Sequence, residues 1–419
     1  MLDFESALAG ALADADLAPR SAAEEIEALC AGIELDVDEL GAGTRRDGTP
    51  VPALLAALRG RLSPEAAGQL HRGATSQDAL DTAAMLVARR ALGPLLDDLD
   101  AAGDAAAALA DRHRGTLIAA RTLLQQAGPT TFGLKAAGWL GGLDAAAARL
   151  EEVREHGLAI QLGGAVGNLA ALDGEGDRVA TALAGRLQLA GPALPWHGDR
   201  VRAALLAGAL GAAAGAAGKV GTDVALLAQT EIGEVAEGGG GGGSSTLPHK
   251  HNPVAAVSAV ACAERAPGLV ATMLGAMRGE HERAAGAWQA EPEALSELLR
   301  VTGGAVAAVR SLLEGLEVFP QRMRANLDAG GDLVMSEAVV SALTPTLGRA
   351  AAHDLVRTEL QRALERGSGL REALEDTPAA VEALGREGIA AALDPAAYLG
   401  SNDELIDRAL AVHRQRRAG

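Results

Sequence analysis

The residues able to do chemistry are concentrated in a few short strings. The densest is Gly243-Ser244-Ser245-Thr246-Leu247-Pro248-His249-Lys250-His251-Asn252-Pro253. Six consecutive glycines, Gly238 to Gly243, lead into two adjacent hydroxyls and a lysine. Asn252-Pro253 then signals a helix start, with Asn at the N-cap and Pro at the first helical position. The N–H groups of that helix end, together with the Lys250 ammonium, are expected to form an anion site. A serine beside such charge, Ser244 or Ser245, can be ionised enough to act as a base. Spacing alone fits a flexible linker capped by Asn252 equally well. His249 and His251 flank the lysine without a third ligand, so no metal is expected. No Gly-Lys-Ser/Thr follows the glycines, so the run is not a phosphate loop.

Two further strings carry polar side chains in a dense pattern. His71-Arg72-Gly73-Ala74-Thr75-Ser76-Gln77-Asp78 precedes a long apolar periodicity, and Thr75-x-x-Asp78 taken alone is a capping box. Arg121-Thr122-Leu123-Leu124-Gln125-Gln126-Ala127 is the other. Arg283 and Trp288 are candidates either to line a site or to sit on a helix surface. Only three lysines occur, Lys135, Lys219 and Lys250. In a chain that otherwise uses arginine, a retained lysine marks either a need for a compact ammonium or a solvated face.

The elements that must position these strings follow from composition. The chain has 419 residues, 48% of them hydrophobic and only 2% aromatic, so its core is Ala, Leu and Val. That bias favours helix over sheet. With 37 basic and 55 acidic residues the net charge is −18, which argues against general binding to nucleic acid or to an anionic membrane. Two cysteines, Cys30 and Cys262, make no disulfide framework. No basic segment precedes an apolar stretch at the start, and no clean apolar run of membrane-spanning length stands out, so a soluble cytoplasmic protein is expected.

Along the chain, two short helices are expected within residues 1–31, broken near Pro19, and a loop from Gly41 to Pro52. Helix is expected to resume at Ala53 and again at Pro64, with a long helix after Thr75-Ser76-Gln77-Asp78. Further helices are expected near Gly115 to Ala127 and from Phe132 to about Gly157. Val201 to Glu237 reads as the longest helix, its many glycines pointing to a buried central position. Helix restarts at Pro253, with a kink expected at Pro267, and runs again from about Glu293 to Val318. The reading is an all-α protein with three helical domains: residues 1–98, a long central helical bundle with the signature loop at 99–329, and residues 330–419.

The string from Ser244 to Pro253 resembles the signature SSxMPxKxNP of the fumarase/aspartase superfamily, with Leu247 in place of the usual Met. His71 to Asp78 resembles the first conserved region of that superfamily, and Arg121 to Ala127 aligns with the second. The resemblance spans nearly the whole chain. It implies that Ser244, with Ser245 beside it, is the catalytic base on a mobile loop. Lys250 and Asn252 would hold a substrate carboxylate, and the Thr75-Ser76 pair would contact the substrate; His71, Gln125 and Arg283 are further candidates to bind it. It also implies a homotetramer whose active sites each collect the three regions from three subunits, with no metal and no organic cofactor. Members usually carry a further stretch ahead of the position of Met1, so the chain reads as shortened at its start.

Within the superfamily, several strings look like its cycloisomerase branch. They include His71 to Asp81, Gln125 to Trp139, Gln161 to Leu172, Pro195-Trp196-His197, Gln229 to Glu237 and Glu280-His281-Glu282-Arg283. That branch implies closure of 3-carboxy-cis,cis-muconate to its lactone. The alternatives are an adenylosuccinate-type lyase, a lyase expelling a good leaving group such as nitrite, and a catalytically silent scaffold. In the lyases a second-region histidine is oriented by a glutamate beyond the signature lysine, whereas here Leu123 and Val257 stand at those positions. If Ser244 is the base, Ser244→Ala lowers kcat by at least about 10²-fold, the size of a general acid–base contribution. Ser245→Ala costs less, and a reversed order in steady-state kinetics would move the proton transfer to Ser245.

Overall fold

The computed structural model describes residues 1–238, 242–243, 246–247 and 250–418. In chain order its elements begin with α1 (Leu2–Asp14), α2 (Arg20–Gly32), α3 (Val37–Asp47), α4 (Val51–Arg59), α5 (Pro64–Gln69) and α6 (Ser76–Arg112). A hairpin of β1 (Leu117–Thr122) and β2 (Gln125–Thr131) leads into α7 (Phe132–Glu152), α8 (Gly176–Leu187), α9 (Val201–Leu227) and the short β3 (Val235–Glu237). Then come α10 (Val254–Gly275), α11 (Glu291–Glu314), β4 (Leu316–Val318), α12 (Pro320–Ala329) and α13 (Ser336–Leu347). The chain closes with α14 (Arg349–Arg366), α15 (Leu370–Glu375), α16 (Pro378–Ala392) and α17 (Asn402–Ala418). The expected all-α class holds.

The chain divides into two compact units. The first comprises Met1–Asp98, Ala146–Gly218 and Ala261–Ala307, and the second Leu99–Ala145, Lys219–Val260 and Ala308–Gly419. In the first, α1 packs on α2 and α8, and Phe4, Leu8, Leu12 and Ile26 are fully buried. In the second, α13 to α16 enclose a core of Val339, Leu343, Leu370, Leu374 and Ile389. There α17 is clamped to α7 and α6 by His413, whose Nδ1 lies 2.9 Å from Asp144 and whose Nε2 lies 2.9 Å from Asp104.

Several elements differ from the sequence reading, each for a local reason. The stretch from Gly41 is not loop but the second half of α3, capped by Asp36 accepting from Asp38 N–H at 2.9 Å and ended by Gly48 in the left-handed region. A side chain at Gly43 would meet the Ala53 Cβ at 2.4 Å, so that glycine serves close packing rather than chain reversal. Residues 115–127 form a hairpin instead of a helix. The predicted helix from Val201 stops at Leu227, because Val235–Glu237 pairs antiparallel with Leu316–Val318. The same pairing shortens α11, which ends at Glu314. The longest helix is therefore α6, with 37 residues. Finally, α9 and α10 are both long and apolar enough to cross a membrane by length and composition, contrary to the sequence expectation.

Candidate active site

In the first unit the string before α6 is held by one carboxylate. Asp78 has no exposed surface. Its Oδ2 accepts from the N–H groups of Thr75 at 2.9 Å and Gly164 at 3.0 Å. Its Oδ1 accepts from Gly163 N–H at 3.0 Å and from His197 Nε2 at 2.6 Å. Half of the predicted capping box thus forms, with Asp78 reaching back to Thr75. The Thr75 hydroxyl does not close the other half and instead accepts from Arg283 Nη1 at 3.0 Å. Arg283 Nη2 donates to the carbonyls of Gly164 (3.3 Å) and Ala165 (3.1 Å), while its buried Nε has no partner among the described residues. Gly164 has φ +70°, and a Cβ there would stand 2.8 Å from the Gly73 carbonyl, so the two turns touch backbone to backbone. Ser76 opens α6 and is half-buried.

One turn along α6, Asp81 repeats the device with charged partners. It accepts two bonds from Arg200 (2.8 and 3.0 Å) and one from Trp288 Nε1 (3.0 Å). Arg200 also donates to Glu291 and lies 4.8 Å over the Trp196 ring. Burial pushes the Glu291 carboxyl above the usual range, against the pull of Arg200. Trp288 is therefore a buried anchor of this network. His71, with φ +63°, sets its Nδ1 2.7 Å from the buried Glu5 carboxylate on α1. Sequence reasoning passed over Glu5, although a lone Glu amid Phe4, Ala7, Leu8 and Leu12 on a buried helix face was a legible signal.

The second unit holds the other candidates. Gln125 is exposed at the start of β2, paired with Thr122. Between them Leu123 and Leu124 turn the hairpin with φ +51° and +65°, and Leu123 is 97% exposed. Arg121 secures the hairpin through two bonds to the buried Glu234 (2.8 and 2.9 Å), which also accepts from Asn326 at 2.9 Å.

At the signature loop, Asn252 donates its backbone N–H (2.8 Å) and its side-chain amide (2.9 Å) to the Gly242 carbonyl, and Gly243 bridges His251. The loop ends are thereby pinned together. Lys250 is exposed. Helix starts beside Asn252-Pro253 as expected, but at Val254, and Asn252 does not serve as the expected cap because its amide is turned to Gly242. The helix N–H groups are not free for an anion either. Glu237 accepts from Ala255 N–H (3.1 Å) and Ala256 N–H (2.8 Å), so a protein carboxylate already occupies that position. The helix N–H groups therefore contribute nothing to the expected anion site. Ser244, Ser245 and His249 lie outside the described residues. The structure brings Thr75 and Arg283 into contact and places Gln125, Lys250 and Asn252 in the second unit.

A predominantly helical chain with these strings in this order defines a class. A lyase family model matches residues 2–268 and an adenylosuccinate lyase C-terminus model matches residues 332–409, and the chain belongs to the fumarase/aspartase superfamily. It is 46% identical over 415 residues to a 3-carboxy-cis,cis-muconate cycloisomerase of Bradyrhizobium diazoefficiens, covering 98% of this chain and 92% of that one. It is 42% identical over 423 residues to a nitrosuccinate lyase of Streptomyces davaonensis, covering 98% and 89%. A solved structure of the 3-carboxy-cis,cis-muconate lactonizing enzyme from Pseudomonas putida matches with a TM-score of 0.91 at 42% identity, over 99% of this chain and 94% of that one.

Asp78→Asn tests the hub. An amide has one acceptor oxygen for four donors, so buried donors lose their partner at about 1–3 kcal/mol each. Urea unfolding is expected to show that loss, and kcat/KM to fall as Thr75 and Arg283 shift. An unchanged unfolding midpoint would contradict the assignment.

Proposed function

We propose that this chain catalyses the intramolecular lactonisation of 3-carboxy-cis,cis-muconate to 4-carboxymuconolactone, as the names of its full-length relatives suggest. The observation in the chain itself that carries the reading is Leu123 at the hairpin tip, with Val257 beyond the signature lysine. A lyase expelling an amine needs a proton donor at the first of these positions. In lactonisation a substrate carboxylate, already ionised at pH 7 with a reference pKa of about 4, bonds through oxygen to one alkene carbon. The neighbouring carbon, next to another carboxylate, gains one proton. In reverse the carboxylate departs without protonation. Ser244, beside Ser245, moves that single proton. His71, Thr75, Ser76 and Arg283 from one subunit, Gln125 from another, and Lys250 with Asn252 from a third hold the carboxylates and stabilise the enolate-like intermediate. No cofactor enters this chemistry.

The nitrosuccinate relative supports a second reading, because nitrite also leaves without an acid. Purified protein is expected to form lactone from 3-carboxymuconate and to leave adenylosuccinate intact. Nitrite release from nitrosuccinate without lactone formation would replace the first reading by the second. Within the first reading, Lys250→Met raises KM, since loss of a charged hydrogen bond costs about 1.5–3 kcal/mol. Unchanged KM and kcat would remove Lys250 from the site.

We also infer a cytoplasmic homotetramer. Exposed positions on α9 recur at Val201, Leu205, Gly208, Ala212, Gly215, Lys219, Thr222 and Leu226, alternating steps of four and three as in a coiled-coil seam. On α10, Val254, Val257 and Leu274 are exposed, and only 17% of its most apolar stretch is buried. A cleft of about 820 Å³ in the first unit includes Leu205, Gly208 and Ala212 of that seam. Copies of the same chain, rather than lipid, are the proposed cover. Sedimentation velocity is expected to give a tetramer, and a stable, fully active monomer would sink the proposal.

A further inference from the structure

Glu5 combines features that core packing alone does not produce. It sits on α1 among Phe4, Ala7, Leu8, Ala11 and Leu12, and its side chain has no exposure. Its Oε1 meets His71 Nδ1 at 2.7 Å, while its Oε2 is buried without a partner among the described residues. A buried carboxylate with one partner is unfavourable, and an apolar residue on that face would avoid the problem. His71 is strained as well, holding φ +63° where a residue with a Cβ is disfavoured, and the Phe4 ring meets its imidazole edge-on at 6.5 Å. Both unfavourable features fall on one pair, immediately before the turn that carries Thr75. Such concentration marks functional positions.

The chemistry of the pair is directional. A carboxylate only accepts, so Nδ1 carries a proton and Nε2 is the nitrogen left for another group. That nitrogen has no partner among the described residues, and the side chain retains 11% exposure. The chain elsewhere shows what an imidazole between two carboxylates looks like: His413 has Asp144 on Nδ1 and Asp104 on Nε2, each at 2.9 Å. Two other titratable groups feel Glu5: the Cys30 thiol, pushed up to about 11 by burial with the Glu5 charge adding to the effect, and the Met1 ammonium, pushed down by burial with the Glu5 charge opposing.

We propose that Glu5 is a positioning residue, which holds the His71 ring through Nδ1–H and so fixes the direction in which Nε2 faces the substrate. The proposal rests on the reading of His71 as part of a polycarboxylate-binding site. The isosteric Glu5→Gln keeps a hydrogen bond to the ring but removes the carboxylate charge and leaves an amide that can turn either its oxygen or its NH2 to Nδ1. KM for 3-carboxymuconate is expected to rise about tenfold or more, the loss of one charge-assisted contact, with kcat changed much less. His71→Gln is expected to do the same, and adding Glu5→Gln to it to change nothing further. A merely structural role would instead lower the thermal midpoint and add to the His71→Gln effect. If Glu5→Gln does not fold, His71→Gln alone decides, and an unchanged KM overturns the proposal. Calorimetric binding of tricarballylate to the wild type and both variants runs alongside. Absence of lactone formation by the wild type would then defeat the functional reading, whereas unchanged tricarballylate affinity in the variants would defeat this one.

Discussion

A carboxylate removed entirely from water must find donors for its lone pairs, and Asp78 finds four. Two are N–H groups of the Gly163-Gly164 turn, one is Thr75 N–H and one is His197 Nε2. These donors come from three separated stretches of sequence, so none of the three can move without orphaning a buried group. Arg283 acts on the same turns from the other side, donating to the Thr75 hydroxyl and to the Gly164 and Ala165 carbonyls. Donors and acceptors of one turn are thereby consumed by two opposite charges. The geometry of the string from His71 to Ser76 depends on this arrangement more than on local helix propensity. A capping box accounts for one of the contacts.

The network around Asp81 has a different balance. Two carboxylates, Asp81 and Glu291, share one guanidinium, Arg200, with N–H groups of Trp288 and Gln77 making up the deficit. Buried ion pairs contribute little net stability against apolar replacements of the same shape, but removing one partner leaves uncompensated charge. Their value lies in specifying one arrangement. Asp81 is on α6, Arg200 immediately precedes α9, and Glu291 opens α11 where an acidic residue also suits the helix dipole. Three helix segments of the first unit are thus fixed in one relation near the end that carries Thr75.

Much of this was legible where signals are local. The break near Pro19, the start of α6 after Thr75 and the start of α10 after Asn252-Pro253 were all readable from residue type and spacing. Misreadings arose where the deciding partner is remote. Gly41 and Gly43 look like loop residues until the close approach of Ala53 explains Gly43. The hairpin lacks the Asn-Gly that normally announces such a turn. The N-terminus of α10 looked open to a ligand because Glu237, its cap, lies across the glycine run. Glu5 and His71 are 66 positions apart, a pairing that no periodicity reveals.

The hairpin also shows why the absence of a titratable group there is informative. Two consecutive leucines with positive φ are costly, roughly 1–2 kcal/mol each relative to ordinary backbone. Leu123 gains nothing within its unit, being almost fully exposed. The hairpin is nonetheless anchored just below its tip, by Arg121 on the buried Glu234, which also accepts from Asn326. A strained tip on an anchored ladder holds the Leu123 side chain in a defined place. In lyases that expel an amine, the group delivered must give up a proton. In a lactonisation the oxygen nucleophile is ionised already and departs ionised in reverse, so a proton donor at the tip has nothing to do. An apolar Leu123 at the tip, with Val257 on α10, is consistent with the proposed lactonisation.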